Sequence, residues 1–213
     1  MWKQRASSQM PASMSTTNAI NVRNAVLERN GPVGMSVESG HASLRTARRI
    51  AVIGASGSGK STLARRLGEL LRLPVYHLDS IWWNPGWVES TQEDFDAELR
   101  RIVDDERWVI DGNYSRTFST RFPRTELIIW LDFPRRIFFR RAFLRMIKGW
   151  GRTRSDLASD CPEHFDPEFF RFVWNIPRDS RPRTVSRISE GEYEKRLLRF
   201  KHPRELRRFL ANL

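Results

Sequence analysis

Short apolar runs alternate along the chain with amphipathic stretches. Arg49-Ile-Ala-Val-Ile53 reads as a buried strand, and a glycine-rich turn follows it at once. From Lys60 to Leu71, the leucines at 63, 67, 70 and 71 fall on one face of a helix. Val75–Leu78 reads as a second strand, and residues 79–90 as a tryptophan-rich loop turning at Asn84-Pro-Gly86. Ser90-Thr-Gln-Glu93 has the spacing of a capping box, with Phe95, Leu99 and Ile102 following at helical intervals. Trp108–Ile110 and Leu127–Leu131 are two further strands. Pro134 opens a helix to about Lys148 whose apolar stripe is Phe139, Phe143 and Met146. After a Gly149-Trp-Gly151 break and a polar connection, a helix is predicted around Pro167–Trp174. Leu197–Phe200 predicts a last strand and Pro203–Leu213 a closing amphipathic helix. Strands alternating with helices in this way predict an α/β fold, a parallel sheet covered on both faces.

Ahead of these elements, residues 1–47 keep no hydrophobic period and are rich in Ser, Asn, Gly and Thr. They read as a disordered or mis-started extension, with a cleaved organellar peptide as the alternative. The folded domain is therefore expected over 48–213. Its single cysteine, Cys161, excludes an intramolecular disulfide or a multi-cysteine zinc site and fits a reducing cytoplasm. No apolar run approaches the roughly 18–20 residues of a membrane span.

Charge adds a constraint on partners. Lys and Arg number 37 against 25 Asp and Glu, a net +12. The excess is uneven: residues 178–213 carry 11 basic and 5 acidic groups. From Arg135 to Arg154 there are eight basic residues and no acidic one. Nucleotide phosphates or nucleic acid are the natural partners of such a segment.

The glycine-rich turn favours the nucleotide. Gly54, Ala55, Ser56, Gly57, Ser58, Gly59, Lys60 and Ser61 match G-x-x-x-x-G-K-[ST] at every fixed position, with Thr62 next on the first helical turn. Glycines let successive backbone N–H groups point inward at phosphate oxygens, and the following helix adds its positive end. Lys60 is placed to reach the β- and γ-phosphates of ATP, and the Ser61 hydroxyl to ligate Mg²⁺. A chance match in a chain this long is on the order of 1% at average residue frequencies, and here the match lies between a strand and a helix.

Taken with His77-Leu-Asp79, Trp108–Tyr114 and Ile128–Asp132, this loop resembles the adenylate-kinase-like P-loop kinases. Within them it is most similar to the DNA topology modulation (FlaR-like) group. The resemblance covers about residues 48–213. It implies a P-loop NTPase fold with a five-stranded parallel sheet in order 2-3-1-4-5, a helical lid over about 135–183, and an acceptor-binding insertion over 79–105.

The resemblance also implies roles. Asp111 stands where the family keeps its acid for the Mg²⁺ shell, and Asp132 is read as structural. Among the basic residues Arg141, Arg145 and Arg152 are the lid candidates, spaced with Lys148 along one helical stripe, and Arg178, Arg181 and Arg183 are later ones. Asp79 is expected to orient or deprotonate an acceptor hydroxyl. Trp82, with Trp83 and Trp87, reads either as a stacking wall or as loop packing. Asn113, Tyr114 and Arg121 lie where relatives contact the acceptor, and His77 reads as a satisfied core histidine. The leading function is thus Mg·ATP-dependent phosphoryl transfer to a nucleotide or other small acceptor. The alternative is a nucleic-acid-binding regulator on an ATP-binding fold, a DNA partner for which no motif speaks.

Overall fold

The structure, a computed structural model, describes residues 34–213. Five strands form one parallel sheet: β1 (Arg49–Gly54), β2 (Val75–His77), β5 (Trp108–Asp111), β6 (Leu127–Leu131) and β7 (Leu197–Phe200). They lie in the order β2-β5-β1-β6-β7. Counted among themselves that is 2-3-1-4-5, the order the resemblance implies. β5 and β6 are buried throughout, as strands covered on both faces must be.

Successive residues of β1 feed opposite cores because side chains alternate across a strand. Ile50 and Val52 meet Leu63, Ala64 and Leu67 of α2 (Lys60–Leu71) and Phe209 of α8 (Pro203–Ala211). Ala51 and Ile53 face the other way. There they join Phe95, Leu99 and Ile102 of α4 (Gln92–Asp104), Phe118 of α5 (Phe118–Arg121), and Val185 and Ile188 of α7 (Pro167–Glu190). Helix α4 is capped by Thr91, whose hydroxyl accepts from Asp94 N at 3.1 Å, one residue later than the expected Ser90.

Four local readings change. The extension expected up to residue 47 ends in a helix, α1 (Val37–Thr46), while residues 1–33 lie outside the described part. Leu44 is fully buried in the core, and the His41 ring stacks on Phe209 at 4.2 Å. Met35 N donates to Leu197 O at 2.8 Å, so the segment is fastened to the sheet edge. Its apolar positions are too few to show a period. Leu44→Ala is expected to cost about 2–5 kcal/mol in a denaturant melt, as for other buried leucines; a change under about 0.5 kcal/mol would return this helix to the status of a tail.

The tryptophan-rich stretch is not an open loop. It folds as a short helix α3 (Leu78–Trp82) and a hairpin of β3 (Trp83–Asn84) with β4 (Val88–Glu89). Helix α6 (Arg135–Lys148) buries Phe138, Ala142 and Met146 instead of Phe139, Phe143 and Met146. Its Phe139 and Phe143 turn sideways onto Phe170 of α7, each with ring centres 5.8 Å apart. Helix α7 runs on past Trp174 through Pro177 and Pro182. Burial of Val173 and Ile176 before those prolines, and of Val185 and Ile188 after them, holds the helix through the backbone bonds the prolines remove. Among the described residues no helix is long and apolar enough to cross a membrane.

Candidate functional site

Chain ends of the parallel strands converge on one crevice: the 54–61 loop after β1, Asp79 after β2, Asp111–Tyr114 at the end of β5 and Asp132 after β6. Such a crevice beside the C-terminal ends of the strands is where open α/β sheets bind ligands.

The loop has the strained, side-chain-poor geometry its sequence requires. Gly57 has φ +82°, and a Cβ there would run into the Phe138 carbonyl oxygen and lie 2.8 Å from the Ala142 nitrogen. Only glycine lets α6 pack directly on the loop. Helix α2 starts after Gly59, in a left-handed conformation, with no side chain capping its first N–H groups. The Ser58 hydroxyl is buried and has no hydrogen-bond partner among the described residues. An anion accepting from these donors satisfies the orphans, so the loop fits a phosphate group. Lys60 and Ser61 are half-buried at the opening of α2, Ser56 is half-buried, Ala55 is buried and Thr62 is exposed. Arg141 Nη1 donates to Ser58 O at 3.3 Å, which brings this lid candidate to the loop.

Across the sheet, β2 and β5 pair so that His77 faces Asp111 in register. The His77 Nδ1 and Asp111 Oδ1 atoms are in close contact, and Asp111 is almost fully buried. His77 is thus a satisfied histidine, as expected, and its partner is the Asp111 carboxylate. Just past the ends of these two strands, the Tyr114 hydroxyl donates to Asp79 Oδ1 at 3.0 Å. Burial, followed by the charge of Asp79, pushes the Tyr114 hydroxyl far above its ordinary range, so it stays a donor. Trp82 lies edge-on to Phe95 at 5.4 Å and tilted to Tyr114 at 6.2 Å, forming the wall behind them.

Arg121 does not face the acceptor side. Its side chain is fully buried, donating to Gly112 O at 2.8 Å, Asn113 O at 3.0 Å and Thr117 Oγ1 at 3.1 Å. The rings of Phe118 and Phe122 lie 4.9 and 5.7 Å from it. Burial pulls its pKa down to about 9, against the opposing pull of Asp111, so it is still charged at neutral pH. Arg121 fixes the turn that carries Asn113 and Tyr114 and is a positioning residue.

The other lid arginines divide. Arg145 Nε lies 3.1 Å from Glu163 Oε1, and Arg154 Nε lies 2.8 Å from the same oxygen. Burial, then the like charge of Arg154, lowers the Arg145 pKa. Arg152 falls outside the helix, which ends at Lys148, and is exposed in the turn that follows. The expected stripe through 141, 145, 148 and 152 therefore breaks at Gly149. Arg145→Ala is expected to destabilise by about 1–3 kcal/mol through the buried glutamate, and Arg152→Ala by less than about 0.5 kcal/mol. Thermal melting of both variants checks this, and equal losses would restore the stripe.

Among the later basic residues, Arg181 and Arg199 serve the fold. Arg181 Nε reaches Asp132 Oδ1 at 3.1 Å and Arg199 Nε reaches Oδ2 at 3.0 Å, so Asp132 is structural, as expected. Arg178 and Arg183 are exposed. Trp83 and Trp87 pack rather than stack on a ligand. Trp83 joins Leu157 and Cys161 in a small core, and Trp87 Nε1 donates to Pro162 O at 3.0 Å, pinning the hairpin to the segment after α6. Asp156 and Glu163 carry no periodic or motif signal, yet both are buried beside the crevice. Burial works to raise the Asp156 pKa, but the charge of Arg154 and then the Ser61 hydroxyl outweigh it, and the carboxyl is held below its ordinary range.

A family model described as an AAA domain matches residues 50–146, the span from β1 through most of α6. Together with the glycine loop and the strand order, that match decides the fold class. The fold is that of a P-loop NTPase. No curated protein matches the chain. Solved structures that resemble it include a shikimate kinase from Bacteroides thetaiotaomicron, 16% identical, covering 78% of this chain and 96% of that one with a TM-score of 0.42. A gluconokinase from Sinorhizobium meliloti is 18% identical, covering 79% and 94%, with a TM-score of 0.46. A shikimate kinase from Aquifex aeolicus is 20% identical, covering 68% and 96%, with a TM-score of 0.36.

Proposed function

We propose that this P-loop protein is an ATP-dependent phosphotransferase that moves the γ-phosphate to a small acceptor presenting a hydroxyl group. Its subtype would be the adenylate-kinase-like one that the sequence resembles, on the FlaR-like side. The observation that carries the reading is the pairing of two features across one crevice. A phosphate-fitting loop ends β1, and a carboxylate, Asp79, is held by the Tyr114 hydroxyl after β2.

The residues of this chain have distinct work in that reaction. Backbone N–H groups of the 54–61 loop and the Lys60 ammonium hold the phosphates and offset the charge that spreads over their oxygens. Ser61 and Asp111 would hold Mg²⁺, which when bound neutralises phosphate charge; a hydroxyl and a carboxylate are the oxygen donors it takes. Asp79, oriented by Tyr114, aligns the acceptor hydroxyl and accepts its proton. Trp82 offers a flat apolar wall to the acceptor, and Asn113 stands beside it. Arg141, already at the loop, adds positive charge near the transferring group and helps exclude water.

The DNA-binding alternative gains no support from the structure. Four of the eleven basic residues of the tail are engaged internally: Arg181 and Arg199 with Asp132, Arg196 with the Pro123 and Thr125 carbonyls, and Arg187 with Glu190. Screening nucleoside monophosphates, nucleosides and small hydroxylated metabolites for acceptor-dependent ADP production tests the proposal. Turnover with a hydroxylated acceptor supports it. Turnover with nucleoside monophosphates alone would remove the hydroxyl assignment, and retention on duplex DNA without ATP turnover would favour the alternative.

A further inference from the structure

The polar connection between α6 and α7 is tied to the phosphate loop by charge. Glu163 receives Arg145 and Arg154, and Arg154 Nη1 reaches on to Asp156 Oδ2 at 3.0 Å. Asp156, only 6% exposed, lies near Ser61, whose hydroxyl is among the groups that hold its carboxyl below the ordinary range. One residue earlier, Ser155 Oγ accepts from Arg65 Nη1 at 2.9 Å. Ser61 and Arg65 stand one turn apart on α2, so the Arg65 contact holds this segment along the start of that helix.

Two guanidinium groups and two carboxylates leave this cluster electrically balanced. An incoming phosphate chain brings several negative charges to the same place. Its oxygens need the cations that Asp156 and Glu163 now occupy, and near Ser61 they meet the Asp156 carboxylate, a like charge in a poorly solvated crevice. We infer that Asp156 is an acidic latch: it holds Arg154 against the segment docked on α2 in the absence of nucleotide, and phosphate oxygens take this guanidinium from it on binding. This inference rests on the phosphate-loop reading and adds regulation to it. A role for Asp156 as a magnesium ligand fits less well, because one of its oxygens already meets a guanidinium that neutralises its charge. The arrangement makes the nucleotide compete with an internal anion, so the latch lowers apparent affinity by the fraction of molecules it keeps closed.

Titration calorimetry with ADP, once with magnesium and once with EDTA, tests the latch in the full chain. Asp156→Asn keeps the shape and removes the competing charge, and is expected to tighten ADP about tenfold in both buffers. Ser155→Ala, at an exposed position, cuts only the Arg65 contact and is expected to tighten ADP about two- to threefold. It decides the matter if the asparagine variant does not fold. Unchanged affinity in the variants would overturn the latch. Weaker binding confined to the magnesium buffer would overturn it too, by placing Asp156 in the metal's shell. A parent protein that binds ADP in neither buffer would instead overturn the phosphate-loop reading beneath it.

Discussion

Lys60→Met is expected to abolish ATP turnover, lowering kcat by about a thousandfold or more, while the fold survives. The ammonium at the first position of α2 is the one mobile cation of the loop itself, and phosphoryl transfer depends on charge placed where charge spreads. Methionine keeps the length and apolar stem of lysine, and the position is only half-buried. Melting without nucleotide should therefore change by less than about 0.5 kcal/mol. Stabilisation of the protein by Mg·ATP should vanish, since binding to the native state is what raises its melting point. Steady-state kinetics and melting curves read both halves. Full activity in the variant would remove the loop from the chemistry.

Asp79→Asn is the second large effect. Asparagine preserves the shape and can still accept from Tyr114 through its amide oxygen, so the crevice keeps its form. What it cannot do is take a proton. With a hydroxylated acceptor, kcat should fall about 10²- to 10⁴-fold, with ATP affinity unchanged. A rise in acceptor KM alone, with kcat intact, would mean that Asp79 binds the acceptor and does not activate it. An acceptor that is already a phosphate needs no base, and the kinetics distinguish the two classes.

What was legible in the sequence was whatever is local. The loop from Gly54 to Ser61 sits in eight consecutive residues, and its strand and helix flank it. Strand order followed from resemblance and from apolar runs that remain buried on both faces. The pairing of Asp79 with Tyr114 spans 35 positions, and each residue was individually visible because each follows a strand. Arg121 was misplaced because a charged residue near a strand end resembles an acceptor contact. Its burial depends on Phe118 and Phe122 closing over it, and only the folded turn brings the Gly112 and Asn113 carbonyls to its guanidinium. Arg145, Arg154, Asp156 and Glu163 form a network with no fixed spacing, joined across a break in the helix. Helix α1 was hidden for another reason. Its stability comes from Leu44, His41 and Gly40 docking on β7 and α8, which no pattern within ten residues reveals.

The most direct test of the account follows the phosphorus. Purified protein is incubated with ATP, magnesium and the hydroxylated acceptor found by the screen, and ³¹P NMR records every phosphorus species with time. The account predicts ADP and a new phosphomonoester rising together in equal amounts, with the monoester absent in Lys60→Met. ADP accompanied only by inorganic phosphate, whatever acceptor is supplied, would contradict it and make the protein a nucleotide hydrolase.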